Sequence, residues 1–371
     1  MAPAAKSRVV LTGTPAANSY VDLYNLYKFI WPFNNVIGYS VPQLASMSKN
    51  IGDGRITDLI KNISPFFIRV KKSDLGLPNP RFLKPKKVEM SPIQREIYEA
   101  IEAIVINKCE KTGLPHSIKK SATIRLRQAA SNPGLLLKSL EEDAIDYEAD
   151  LLEDNFTFDD IEINQDLINM ILKYKEIEVP NKFKQVLSIT KEIVAKREKI
   201  IIWCEFIGTC DDLSIYLENN GISNRILYGK CCQEEREAII WEFLQGKESS
   251  FDVIVANPHA VGESISLHKT CHNALYLEQG FNAGVYMQSK DRIHRVGLKD
   301  TDITTYYFIH SEDSVDSVVY ERVIEKERKM LEVIESEEIP LLVGNLDYEE
   351  DSKADIRAII KEYYDRRNGE I

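Results

Sequence analysis

The segment "QSKDRIHRVG" holds three side chains able to grip a phosphate: Gln288, Arg292 and Arg295. Arginine carries a planar fork of N–H donors that fits phosphate oxygens, and it stays charged at any ordinary pH. Gln288 precedes Arg292 by four residues and Arg295 follows it by three. Those spacings place side chains on one face of a helix. The expectation is therefore a helical face on which Gln288, Arg292 and Arg295 converge on one target. A solvated basic face is the alternative.

Such a face needs a scaffold, and the surrounding chain alternates short apolar runs with amphipathic stretches. "KIIIWC", "RILYG", "FDVIVAN", "NALYLE" and "ITTYYFI" predict strands, the continuous apolar runs being those of strands buried on both faces. "TCDDLSIYLENNG" predicts a helix with Leu213, Tyr216 and Leu217 on its apolar side and Gly221 as its terminator. "QEEREAIIWEFL" predicts another, with acidic residues in its first turn. Strands alternating with helices predict an α/β fold with a parallel sheet, whose ligands sit in the loops beyond the strands' carboxyl ends. Two loops occupy such places. "PHAVGESISLH" offers Gly262 for close backbone approach and Ser264 and Ser266 as hydroxyl donors; "QGFNAGVYM" leads into the arginines.

Composition bounds the rest. The 371 residues allow two or three domains, and 44% hydrophobic with 28% charged residues is ordinary for a soluble chain. No apolar run reaches the roughly 18 residues of a membrane span, and "MAPAAKSRVV" lacks the apolar core of a secretory signal. Six irregularly spaced cysteines predict reduced thiols inside a cell, and no paired C-x-x-C accompanies "HKTCH", so no metal centre is expected. The net charge of −11 argues against a generally basic nucleic-acid binder but permits a local basic groove. Between Lys138 and Lys173 the chain has no Lys or Arg and many acids: a solvated connection, or a flap competing with nucleic acid. "SPIQREIYEAIEAIVIN" predicts a helix capped by Ser91 with Pro92 at its first position. "KKVEM" and "IRLRQ" place positive charge at Lys86, Lys87, Arg125 and Arg127.

"VVLTGTPAANSYVDLYNLYKFI", "SPFFIRVKKSDLGLP", "VEMSPIQREIYEAI", "IRLRQAASNPGLL", "IIIWCEFIGTCDDLSIYL", "VIVANPHAVGESISL" and "QSKDRIHRVG" follow one another in that order. Together they resemble the Swi/Snf-type ATPases of helicase superfamily two, from about Ser7 to Ile334. The wording around "CHNALYLEQGFNAGVYMQ" looks most like the branch found in bacterial and phage genome-conflict systems. The resemblance implies a RecA-like parallel-sheet lobe, the helicase C-terminal lobe, with a helical insertion and the end of a first RecA-like lobe. The implied boundaries are 1–83 for the end of the first lobe, 84–178 for the insertion, 179–336 for the second lobe and 337–371 for a helical tail.

The implied function is the C-terminal part of an ATP-dependent double-stranded DNA translocase, with ATP and Mg2+ as cofactors and no membrane. Arg292 and Arg295 fall on the family's arginine-finger positions and Gln288 on its glutamine position; Gly262 and Glu263 would also lie at the nucleotide. Thr12, Thr14, Ser264 and Ser266 match segments that contact nucleic acid, although Thr12 and Thr14 could equally cap a strand-to-helix turn. The helical insertion would grip duplex DNA, and "SVDSVVYERVIEKERKMLEVIE" would pack back on the second lobe. The family's G-x-G-L-N-L reads here Gly262-Glu263-Ser264-Ile265-Ser266-Leu267, with Ser for the second Gly and for Asn. Neither G-x-x-x-x-G-K-[ST] nor an acidic D-E-x-H box occurs in the chain. The phosphate loop and the Mg2+ ligands are therefore expected from a first lobe supplied by another chain or segment, and this chain alone is expected not to hydrolyse ATP. The alternative is a non-catalytic lobe that binds DNA or a partner. The expected location is cytoplasmic and nucleoid-associated, or nuclear in a eukaryote.

Overall fold

A computed structural model of the chain describes residues 5, 7–11, 20–48, 53–68, 72–112, 116–138, 165–260, 265–335 and 348–368. Thr12, Thr14, Gly262, Glu263, Ser264 and most of the acidic stretch lie outside the described residues. Contacts divide the chain into two units, Met1–Gly76 with Glu325–Lys353, and Leu77–Ile324 with Ala354–Ile371. In the first, helices α1 (Tyr20–Ile30), α2 (Val41–Met47) and α3 (Arg55–Ile63) enclose Leu23, Ile37, Leu44, Met47 and Leu59.

The second unit opens on two short strands, β1 (Arg81–Phe82) and β2 (Lys86–Val88), followed by helices α4 (Pro92–Thr112), α5 (His116–Ser131), α6 (Leu135–Lys138) and α7 (Gln165–Ile177). Then come α8 (Asn181–Ala195), β3 (Lys199–Trp203), α9 (Ile207–Asn219), β4 (Asn224–Leu227), α10 (Gln233–Phe243), β5 (Val253–Ala256), β6 (Cys271–Tyr276), α11 (Ala283–Lys290) and β7 (Thr305–Ser311). Helices α12 (Val315–Glu335) and α13 (Tyr348–Asn368) follow. The strands pair in the order β1-β7-β6-β3-β5-β4, with β2 also on β7, and every pairing is parallel. The five longer strands are those the apolar runs predict, and Gly221, at φ +78, ends α9 as expected.

Strand side chains alternate between faces, so β3 serves two cores at once. Ile200, Ile202 and Cys204 pack with Phe183 and Val186 of α8 and with Cys210, Leu213 and Leu217 of α9. Ile201 and Trp203 join the opposite core with Tyr98 of α4, Leu126 of α5, Tyr174 of α7 and Val319 of α12. The helices between β2 and α8 thus share the apolar core of the sheet. Val315, Val318 and Val319 lie in it too, as expected of a helix packing back on the lobe.

Two expectations fail here for the same reason. Arg125 and Arg127 are buried, at 6% and 8% exposure, because the last turns of α5 are enclosed on all sides. At the start of α4 the carbonyl of Ser91 accepts the Arg95 N–H, but the free amides of Ile93 and Gln94 donate to the two carboxylate oxygens of Glu178 at 3.2 and 3.3 Å. An anion suits a helix N-terminus, and here it arrives from the end of α7 rather than from Ser91. Glu178→Ala should therefore cost about 1 kcal/mol of stability, the usual worth of a cap, read as a lower urea midpoint with unchanged slope.

Candidate functional site

The sheet's order reverses at β3: the chain first goes out to the edge strand β4, fills β5 in between, then crosses to add β6 and β7 on the other side. Open α/β sheets bind ligands beyond the carboxyl ends of strands at such a point. Here the segments after β3, β5 and β6 meet. Asn257 Nδ2 donates to the Glu205 carbonyl at 2.6 Å, while its Oδ1 accepts the N–H groups of His259 and Ala260 at 3.0 and 3.3 Å. Glu205 Oε1 lies 3.2 Å from His259 Nε2 and 3.1 Å from Arg127 Nη2. A Cβ on Gly280 would stand 2.2 Å from that same oxygen, so a larger residue there would displace the Glu205 carboxylate.

Two carboxylates at this edge behave oppositely. Burial alone would raise the Glu205 carboxyl, but the bond from His259 and the Arg127 guanidinium outweigh it and hold its pKa at about 2. Burial prevails at Glu278, whose carboxyl is pushed up although hydrogen bonds oppose it. Its oxygens accept the Phe206 N–H at 3.0 Å and the Thr209 hydroxyl at 2.7 Å, at the N-terminus of α9. Glu205, His259, Glu278, Asn282 and Tyr286 line a small open cleft.

The arginines lie apart from this edge, beside the segments that lead into β6, β7 and β1. Helix α11 begins where Asn282 Oδ1 caps the Val285 amide at 3.1 Å, and it stops at Lys290. Arg292 and Arg295 are thus beyond the helix, and the expectation that both share a helical face with Gln288 is corrected. Tertiary contacts end the helix. Tyr306 donates its hydroxyl to the Lys290 carbonyl at 2.9 Å, the Arg292 carbonyl accepts the Leu267 N–H at 2.8 Å, and Ile293 is fully buried in the core. Past Lys290 the turn tightens, the Arg292 and Ile293 amides reaching back three residues to Ser289 and Lys290, before His294 reaches back four to Lys290.

The two arginines have different surroundings. Arg292 is 9% exposed, its Nε donating to the Gln288 carbonyl at 3.1 Å and its Nη1 to the Ile265 carbonyl at 3.3 Å. Arg295 and the Gln288 side chain are exposed. Ser266 hydrogen-bonds His268 Nδ1 at 2.9 Å, and His272 Nε2 lies 2.9 Å from the His268 carbonyl. Burial lowers the His268 pKa, with the charges of Lys269 and Arg295 among the further causes. His294 is buried between the arginines and bonds the Pro78 carbonyl at 2.9 Å, anchoring the chain that leads into β1.

The structure therefore brings Arg292 to the segment that carries Ser266, and Gln288 meets Arg292 through its main-chain carbonyl. Sequence reasoning missed Glu205, Asn257, His259 and Glu278. The available signal was an acid or amide directly after each apolar run, in "IIIWCE", "VIVAN" and "ALYLE".

The family model for the SNF2-related domain matches residues 4–135, and that for the helicase conserved C-terminal domain matches residues 181–297. The chain belongs to the SNF2-related helicase family. Among curated relatives, this SNF2-related chain is 25% identical to the chromatin remodeling factor mit1 of Schizosaccharomyces pombe, over 95% of the chain and 23% of that protein. It is 24% identical to an uncharacterized ATP-dependent helicase, MG018, of Mycoplasma genitalium, over 88% of the chain and 27% of that protein. With the ATP-dependent helicase FUN30 of Saccharomyces cerevisiae it shares 24%, over 94% of the chain and 36% of that protein. The SNF2-related chain thus spans about a quarter to a third of the length of these relatives. Among solved structures, the C-terminal part of the Fun30 ATPase domain matches at 20% identity and a TM-score of 0.49, over 67% of the chain and 89% of that structure. The Sulfolobus solfataricus SWI2/SNF2 ATPase core in complex with dsDNA matches at 20% and 0.48, over 94% of the chain and 65% of that structure. No described helix is long and apolar enough to cross a membrane.

Proposed function

We propose that this chain is the finger-bearing part of an ATP-driven translocase on double-stranded DNA. Arg292 and Arg295 act on the transferring phosphoryl group of ATP. A lobe carrying the phosphate loop and the Mg2+ ligands completes the site. The observation that carries this reading is the two-way link between Arg292 and the 265–267 segment. The guanidinium donates to the Ile265 carbonyl, and the Leu267 amide donates to the Arg292 carbonyl. A phosphate that draws the guanidinium away from Ile265 removes one of the two bonds holding the segment that presents Ser266. Ser266, hydrogen-bonded to the His268 that the charges of Lys269 and Arg295 reach, is suited to a nucleic-acid phosphate, a contact that carries no base sequence. Ser264, Gly262 and Glu263 belong to the same loop in this reading, and Gln288 and the Thr12–Thr14 segment keep the roles that the family resemblance assigns them.

The test is ATP hydrolysis stimulated by a DNA duplex, measured for the chain alone and for the chain mixed with a lobe that carries G-x-x-x-x-G-K-[ST]. The chain alone should show no turnover, because none of its 371 residues forms that loop. The mixture should show duplex-dependent turnover. Silence in both favours a lobe that binds without hydrolysis; turnover by the chain alone overturns the split site.

A further inference from the structure

We infer that Arg127 is a positioning residue: through Glu205 it ties the helical insertion to all three strand-end loops of the proposed motor lobe. Arg127 belongs to α5, yet its guanidinium ends on Glu205, just past β3, with the two side chains 10% and 13% exposed. The same guanidinium lies 5.1 Å from the centre of the Phe206 ring and 6.0 Å from that of Phe281, in the loops after β3 and β6. Glu205 Oε1 passes the connection to His259, in the loop after β5, and its close packing on Gly280 passes it to the loop after β6. Asn257 locks the start of the β5 loop to the Glu205 main chain. One buried charge pair therefore touches the loop that runs into Ser266 and the loop that runs into Arg292.

The chemistry suits a rigid strut. A positive charge within reach of two aromatic rings and beside the carboxylate holds that carboxylate in place. A buried ion pair of this kind contributes more to a single arrangement than to stability, and breaking it leaves an uncompensated charge. The carboxylate stays ionised across the physiological range, so the strut is permanent rather than pH-gated. Resting on the proposed function, the consequence is transmission: duplex DNA bound by the helical insertion stiffens the loops that bear Ser266 and Arg292.

The test is hydrogen exchange of the full chain, with and without a blunt DNA duplex, for the native protein, Arg127→Met and Arg127→Lys. Methionine retains the packing near Phe206 and Phe281 and removes the charge; lysine retains the charge. Without DNA, amides of residues 257, 259–260 and 279–282 should exchange about tenfold faster in Arg127→Met, from the loss of one buried ion pair. Arg127→Lys should restore much of the protection. Glu205→Gln, isosteric and uncharged, should reproduce the methionine result, so the outcome does not depend on one variant. Equal protection in Arg127→Met and native protein, or a lysine variant no better than methionine, overturns the strut and leaves a packing role. With duplex, protection should reach both the insertion and these loops in the native chain, but only the insertion in Arg127→Met. A duplex that protects nothing in the native chain refutes the DNA reading, while the DNA-free comparison still decides the strut.

Discussion

Replacing Arg292 by alanine in the completed enzyme is expected to lower kcat for duplex-dependent ATP hydrolysis by about 10^3-fold or more. Arginine fingers supply roughly 10^3–10^5 in related phosphoryl transfers, because a guanidinium stabilises charge that develops only in the transition state. Arg292 also has a structural duty, holding the carbonyls of Ile265 and Gln288, so part of any loss in Arg292→Ala could come from the loosened 265–267 segment. Two comparisons separate these. Arg292→Lys retains one donor for the Ile265 carbonyl but loses the fork, and should recover stability without recovering kcat. Arg295→Ala removes an exposed side chain, so its thermal midpoint should stay native while turnover falls. Native kcat in Arg295→Ala together with a fully rescued Arg292→Lys would sink the finger assignment. ATP affinity, read by titration of a fluorescent nucleotide, should change far less than kcat, since the interaction is made chiefly in the transition state.

Lys182→Ala is expected to destabilise the fold by about 3–5 kcal/mol, the cost of stranding a buried charge. Lys182 lies in the first turn of α8 at 2% side-chain exposure, with its ammonium 2.7 Å from Asp316 Oδ2 in the first turn of α12. Asp316 Oδ2 also accepts the Ser311 amide at 2.8 Å at the end of β7. The pair therefore pins two helices to the last strand of the sheet. His310 beside it is held neutral, its pKa pushed down to about 4 by burial, with Lys182 lowering it and Asp316 raising it. Loss of Lys182 removes a partner that the imidazole cannot replace. The measurement is urea denaturation of the full chain. Lys182→Met combined with Asp316→Leu should recover most of the loss, because replacing both charges leaves neither uncompensated. A single variant within about 1 kcal/mol of native would show that the pair is dispensable.

The sequence by itself determined the strands of the sheet and their helices, because these depend on local periodicity. An apolar run such as "KIIIW" has one low-energy use in water, a strand covered on both faces, and the two-residue period then assigns its side chains to two cores. It also determined which chemistry was available, since fork-shaped cations and small hydroxyl residues in loops after strands can be read one residue at a time. The family resemblance rested on the same local segments.

Tertiary structure alone decided where those groups stand. The α11 helix could have continued through Arg295 on propensity, and it stops where Leu267 and Thr304 claim the carbonyls of Arg292 and Ile293. Ser91 has the right type and place for a cap, and a carboxylate 85 residues away takes the amide of Ile93 instead. Arg127 reads as surface charge in "IRLRQ", and the fold buries it near two aromatic rings and against Glu205. In each case the deciding partner is far along the chain. Such a contact exists only once the sheet and its covering helices have closed, and no local pattern encodes it.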